Sequence, residues 1–135
     1  MRHLVNQKKW HPWIEVDSAG THTHHMGEPP DDRSQKHARL RGYDLSMQRA
    51  RQLTAQDFVV SDLVLAMDWY NLALAEEFCP AGHLHKLKRL TEFCTLHNSP
   101  VVPDPYAGGH DGFEQVLDLV EDACAGLLVH LRTKT

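Results

Sequence analysis

The side chains with the clearest capacity for chemistry in this 135-residue chain are a loop carboxylate and a few polar groups set just after apolar runs. Asp104 stands in Asp104-Pro105-Tyr106, followed by Gly108-Gly109. Pro105 stiffens the backbone directly after the carboxylate. A carboxylate displayed on a loop serves as general acid when its pKa is raised beside a reacting group. Tyr106 offers an aromatic wall for a flat substrate. The simpler reading of these residues is a plain turn, because Asp, Pro and Gly are turn formers. Asp17-Ser18-Ala19-Gly20-Thr21 follows one predicted strand. Asp68 follows another, with Asn71 one turn later. Polar groups at the carboxyl ends of parallel strands face the crevice where α/β sheets bind ligands. Both groups also suit helix capping, and neither names a ligand.

Histidine is abundant, at 11 of 135 residues, and two clusters invite a metal reading. His22-x-His24-His25 and His83-x-His85 each bring imidazoles close together. A metal site needs three or four convergent ligands, and no carboxylate or cysteine at ligand spacing completes either set. Solvated His-rich loops are the plainer reading, so no metal and no cofactor is expected. Cys79, Cys94 and Cys124 are odd in number, widely spaced and without a Cys-x-x-Cys pair. They form no disulfide framework, which suits a reducing cytoplasm. Cys124 lies on an apolar helical face, where a thiol behaves as a small hydrophobe.

The elements that must position these groups alternate along the chain. Residues 1–10 have helical spacing. Trp13-Ile14-Glu15-Val16 reads as a short strand closed by Asp17-Ser18-Ala19-Gly20. Asp31-Asp32 open a helix to about Leu40, with Gly42 as its stop. Thr54-Ala55-Gln56-Asp57 fits the start of one helical turn. Asp62 to Met67 is a near-continuous apolar run suited to a buried parallel strand. A helix follows Asp68 to about Phe78, where Pro80 and Gly82 break it. Residues 84–90 fit a strand or a helix equally. Thr95 to Gly112 reads as a long loop. Phe113, Val116, Leu117, Val120, Cys124, Leu127, Leu128 and Leu131 then mark a terminal helix, with Glu114, Asp118, Glu121 and Asp122 on its other side. Strands alternating with helices predict the α/β class with a parallel sheet. The length fits one domain, spanning 1–135. A net charge of -4 argues against a nucleic-acid partner. No apolar stretch is long enough for a membrane span, and no signal-peptide core stands at the N-terminus.

Taken together, these segments resemble the low-molecular-weight protein tyrosine phosphatases. The matching pieces are Val16-Asp17-Ser18-Ala19-Gly20-Thr21, Gly27-Glu28-Pro29-Pro30-Asp31, Arg49-Ala50-Arg51-Gln52-Leu53 and Leu65-Ala66-Met67-Asp68 with Asn71. Pro103-Asp104-Pro105-Tyr106, Gly112-Phe113-Glu114 and the helix through Val120-Glu121-Asp122-Ala123-Cys124 complete the set. The resemblance covers essentially the whole chain, and the Asp-Pro-Tyr loop with its following helix is its most specific part. It implies a three-layer α/β fold whose four-stranded parallel sheet has order 2-1-3-4. It implies hydrolysis of phosphotyrosine, in proteins or as aryl phosphates, through a cysteinyl-phosphate intermediate without a metal. Asp104 would be the general acid, Tyr106 and His24 would line the substrate cleft, and Ser18, Asp68 and Asn71 would support the phosphate loop.

One departure is decisive. The family's nucleophile belongs to a Cys-x5-Arg loop between its first strand and first helix. The residues six places after Cys79, Cys94 and Cys124 are His85, Pro100 and His130, so none of the three makes that motif. By the resemblance, about 20 residues holding the first strand, the loop and half a helix would precede Met1. The chain as written is therefore expected to be inactive. It is also expected to be unstable, because the absent strand is central in order 2-1-3-4. Smaller departures are Gln48 where many relatives carry His, His24 at an aromatic wall position, and Ala107 where a second Tyr is common. The competing readings are a non-catalytic pseudophosphatase remnant acting as a binding module and, ranked below it, an arsenate reductase on the same fold, which needs further redox cysteines. The natural substrate and the oligomeric state are open at this stage.

Overall fold

The computed structural model describes residues 1–10, 13–21, 27–103 and 109–133. The first helix, α1 (Arg2–Gln7), buries Val5 among polar neighbours. In α2 (Asp32–Leu40) the Asp31 carboxylate caps the amino end, accepting from the amides of Arg33 and Ser34 at 3.0 and 3.3 Å. That satisfies two of the donors left bare by the helix start. The other end closes as the sequence predicts. Gly42 takes φ +88°, so that its amide reaches the Arg39 carbonyl and the Tyr43 amide reaches Ala38. This double return is a Schellman stop, which favours glycine at the left-handed position. Thr54 and Asp57 cap α3 (Ala55–Val60) reciprocally.

Strand β1 (Val64–Ala66) pairs in parallel with β2 (Leu87–Arg89), with Val64 opposite Leu87 and Ala66 opposite Arg89. Helix α4 (Trp69–Phe78) provides most of the crossover, and a 3-10 turn at Leu84–Lys86 leads into β2. Residues 84–90 thus divide between the two conformations that their alternation left open. Adjacent strand residues point to opposite faces, and the core divides accordingly. Val64 and Leu87 join Leu53, Phe58, Ala75 and Phe78 on the side of α3 and α4. Leu65 joins Leu90, Val102, Ala123, Val116 and Val120 on the side of the last helix, α5 (Gly109–Thr133). A two-stranded parallel sheet between two helical layers is an α/β architecture.

Three expectations need correction. Trp13-Ile14-Glu15-Val16 is not a strand. A strand is defined by its ladder, and here the Arg2 guanidinium binds the Val16 carbonyl instead, at 2.7 and 3.0 Å. Among the described residues, parallel pairing reaches this part of the chain only as a single bridge between Gly20 and Gln52. Of the implied four-stranded sheet, the described residues therefore form two strands, and these are neighbours as order 2-1-3-4 requires of its last pair. The loop expected to run from Thr95 to Gly112 ends earlier, because α5 begins at Gly109. Asp122, read as lying on the side of that helix away from its apolar positions, is buried. Cys124 is buried on the apolar face, as its spacing implies.

Candidate active site

Ser18 lies on an exposed segment that residues 50–53 hold in place. The Gly20 amide donates to the Arg51 carbonyl at 2.7 Å, and the Leu53 amide to the Gly20 carbonyl at 2.8 Å. The same short segment also holds the chain beyond the histidine tract. The Gly27 amide donates to Ala50 at 2.6 Å, and the Ala50 amide to Glu28 at 2.8 Å. Between these paired backbones is a cavity of ≈ 250 Å³, lined by Ser18, Gly20, Pro29, Gln48 and Arg49 among others. Arg51 is part of the lining. Its guanidinium contacts Asp17 and Asp57, each at 2.9 Å. The bond from Arg51 holds the Asp57 carboxyl below its ordinary range, against the opposing effect of burial.

Asp68 lies two residues after β1 and caps α4 by accepting from the Asn71 amide at 2.7 Å. The Asn71 side chain then donates from Nδ2 to Thr21 Oγ1 at 3.2 Å. So Asp68, Asn71 and Thr21 form a polar chain from the end of β1 to the segment that carries Ser18. The Ser18 amide is taken by Asp17 at 2.8 Å. These residues were picked out of the sequence separately, and the fold gathers them at one strand end.

Asp104, Tyr106 and His24 lie outside the described residues, and so does His22-x-His24-His25. The approach to Asp104 is described. The Val102 amide donates to the Met67 carbonyl at 2.7 Å, one residue before Asp68. Pro100 is held from two sides: Arg89 Nη1 donates to its carbonyl at 2.6 Å and Thr91 Oγ1 at 2.8 Å. Upstream, the Asp122 carboxylate gathers residues 95–97. It accepts from the amides of Thr95, Leu96 and His97 between 2.9 and 3.2 Å, from Thr95 Oγ1 at 3.2 Å, and meets His97 Nδ1 at 3.0 Å. Burial alone would raise its pKa. The bonds from Thr95, His97 and Leu96 outweigh it and hold the carboxyl well below the usual range. Sequence reasoning missed Asp122 and Arg89. A carboxylate on the polar side of an amphipathic helix carries no sign that it will be buried, and Arg89 sat in a segment of undecided conformation.

The beginning of α5 is fixed by α2. His37 Nδ1 meets Glu114 Oε2 at 2.6 Å, and Arg41 contacts Glu114, Asp118 and Glu121. Bonding to Glu114 and then to its acidic neighbours keeps Arg41 firmly protonated against burial. The charges of that helix side thus meet α2 in an interhelical contact while remaining partly open to solvent. Among the described residues no cluster of three metal-ligating side chains forms.

The whole of residues 1–135 matches the family described as low molecular weight phosphotyrosine protein phosphatase. The chain belongs to that family. It is 31% identical over 131 residues to the low molecular weight protein-tyrosine-phosphatase YfkJ of Bacillus subtilis, covering 97% of this chain and 83% of that one. It is 37% identical over 134 residues to a low molecular weight protein-tyrosine-phosphatase of Streptomyces coelicolor, covering 88% and 74%. The crystal structure of a protein tyrosine phosphatase from Entamoeba histolytica superposes with a TM-score of 0.94 at 33% identity, over 98% of this chain and 85% of that one. Family membership makes this a phosphatase domain of α/β fold, and the parallel strand end described above is the candidate active-site face. No described helix is long and apolar enough to cross a membrane.

Proposed function

We propose that this chain carries the acid loop and the supporting shell of a cytoplasmic enzyme that hydrolyses phosphotyrosyl proteins or aryl phosphates. The nucleophile would come from a Cys-x5-Arg segment preceding Met1, since none of Cys79, Cys94 and Cys124 supplies that motif. In this reading a cysteine thiolate attacks phosphorus and the bond to the phenolic oxygen breaks. Asp104 transfers its proton to the departing phenolate. The resulting carboxylate then takes a proton from the water that attacks the cysteinyl phosphate, which releases phosphate and restores both groups. Tyr106 and His24 flank the aromatic ring. Ser18, Asp68 and Asn71 hold the strand ends on which the phosphate loop would rest.

The observation that carries the reading is the bond from Val102 to Met67, which brings the approach to Asp104 alongside Asp68 and, through Asn71 and Thr21, the Ser18 segment. The first test is the intact mass of the native protein from its source cells. A mass above 15.4 kDa, with an N-terminal peptide containing Cys-x5-Arg, is expected. In that protein Asp104→Ala should lower kcat for aryl phosphates by roughly 100-fold. Unchanged turnover would remove Asp104 from its role. A second reading rests on the missing motif itself: a native mass of 15.4 kDa would leave no thiolate in place and favour a non-catalytic binding module.

A further inference from the structure

We propose that Arg89 is a positioning residue which, stacked on Trp69 and bonded to Pro100, sets the direction in which the chain enters the Asp104 loop. The inference rests on the phosphatase reading above for the role of Asp104. Its geometry stands apart from that reading.

Arg89 is the last residue of β2, and Trp69 is the first of α4, three residues beyond the end of β1. Both therefore occur at the carboxyl ends of the parallel pair, beside Asp68. The Arg89 guanidinium lies 4.2 Å from the centroid of the Trp69 ring. A guanidinium at that range is attracted to the negative face of the indole and can stack flat on it. The same group donates from Nη1 to the Pro100 carbonyl at 2.6 Å. Thr91 Oγ1 occupies the second lone pair of that carbonyl at 2.8 Å. Two residues later the Val102 amide bonds to Met67 at 2.7 Å.

The result is a closed circuit of Met67, Trp69, Arg89, Pro100 and Val102. Within it the chain from 100 to 103 is fixed at Pro100 and again at Val102. Pro100 and Pro103 further restrict its backbone. Trp69 remains 55% exposed. An indole left so open buries little of its apolar surface, and its packing alone is a weak reason for its presence here. As the platform that orients Arg89, it has a definite task. Displacement of an acid by about 1 Å is enough to lower a rate by up to 100-fold, so the anchoring of its loop is a kinetic matter as well as a structural one.

Acid catalysis matters most when the leaving group is a strong base. A misdirected Asp104 should therefore slow phenyl phosphate much more than p-nitrophenyl phosphate. The variants are Arg89→Met, which keeps length and apolar contact but removes the donors, and Trp69→Leu, which removes the platform. Arg89→Lys keeps the charge and a donor nitrogen but loses the planar guanidinium that lies over the indole. Each is made in the native protein and read in two ways. In the first, amide hydrogen exchange at Val102 should quicken by about tenfold in Arg89→Met and Trp69→Leu, while the middle of α5 is unchanged. In the second, kcat/KM should fall about tenfold for phenyl phosphate and less than about threefold for p-nitrophenyl phosphate, with partial recovery in Arg89→Lys. Unaltered exchange at Val102 overturns the anchor. Altered exchange with an equal loss for both substrates overturns the positioning role and leaves only a structural tie. If the parent protein has no phosphatase activity, the phosphatase reading fails and the positioning role falls with it, while the exchange experiment still decides whether the anchor exists.

Discussion

A single carboxylate, Asp122, illustrates how one side chain organises a loop. Its side chain is 2% exposed, yet it receives three backbone amides, a hydroxyl and an imidazole. Because its folded pKa is depressed, the stability it contributes is full above the unfolded carboxylate pKa of about 4 and is lost as pH falls through the folded value. Asp122→Asn should cost about 2–4 kcal/mol at pH 7, because an amide presents donors where donors already point. The gap between variant and parent should narrow as the pH is taken below about 4, measured by urea unfolding across pH. Arg41 offers a contrast, since its partners are partly solvated. Arg41→Met should cost about 1–2 kcal/mol, between the surface and buried cases, and 1 M salt should reduce the difference. Cys94 is governed by its surroundings too: burial first, then the nearby Asp122, pushes its thiol up to about 11. That is the opposite of what a nucleophilic thiolate needs.

At the scale of elements, legibility followed the range of the interactions involved. Helix α2 could be read because its signals are local: Asp31 caps it, and Gly42 stops it through bonds back to Ala38 and Arg39. The apolar repeat of α5 was equally plain. Strand Trp13–Val16 was misread because a short apolar run closed by turn formers says nothing of whether a neighbour will supply the ladder, and here Arg2 takes the Val16 carbonyl. The candidate site was legible as separate residue types at strand ends. Its connections, from Asn71 to Thr21 and from Val102 to Met67, span distances in sequence that no local pattern encodes. One close approach between elements is equally silent in the sequence. A Cβ built on Gly126 of α5 would run into the backbone carbonyl of Phe93 in the 3-10 turn Leu90–Phe93. A backbone carbonyl cannot rotate aside as a side chain can. Gly126→Ala should therefore destabilise the fold by about 2 kcal/mol or more, despite the better helix propensity of alanine, and should lower Tm in a thermal scan.

For the molecule as a whole, the question is whether the two paired strands and two small apolar clusters found among the described residues are sufficient. Trp13 is 76% exposed, next to backbone at 14–16 that joins no strand. A segment of that kind is a ready template for pairing with other chains. The isolated 135-residue chain should consequently show a broad unfolding transition and concentration-dependent light scattering on heating. A sharp, reversible transition for a monomer in calorimetry would refute this expectation. The family itself was readable in the sequence because its motifs extend from Val16 to Cys124. The active-site geometry was not, since it depends on which strand ends become neighbours.

The contact between α2 and α5 also has a history in time. His37, Arg41 and Tyr43 find their carboxylates at Glu114, Asp118 and Glu121, more than seventy residues later. A ribosome adds about 5–20 residues each second. The cationic end of α2 must therefore wait for seconds after it emerges, with its partners not yet synthesised. Until Glu121 clears the exit tunnel, the half-made chain presents unmatched positive charge beside apolar surface still lacking its lid of α5. Chaperone capture during translation should be greatest in that interval and should end abruptly once the last helix is out.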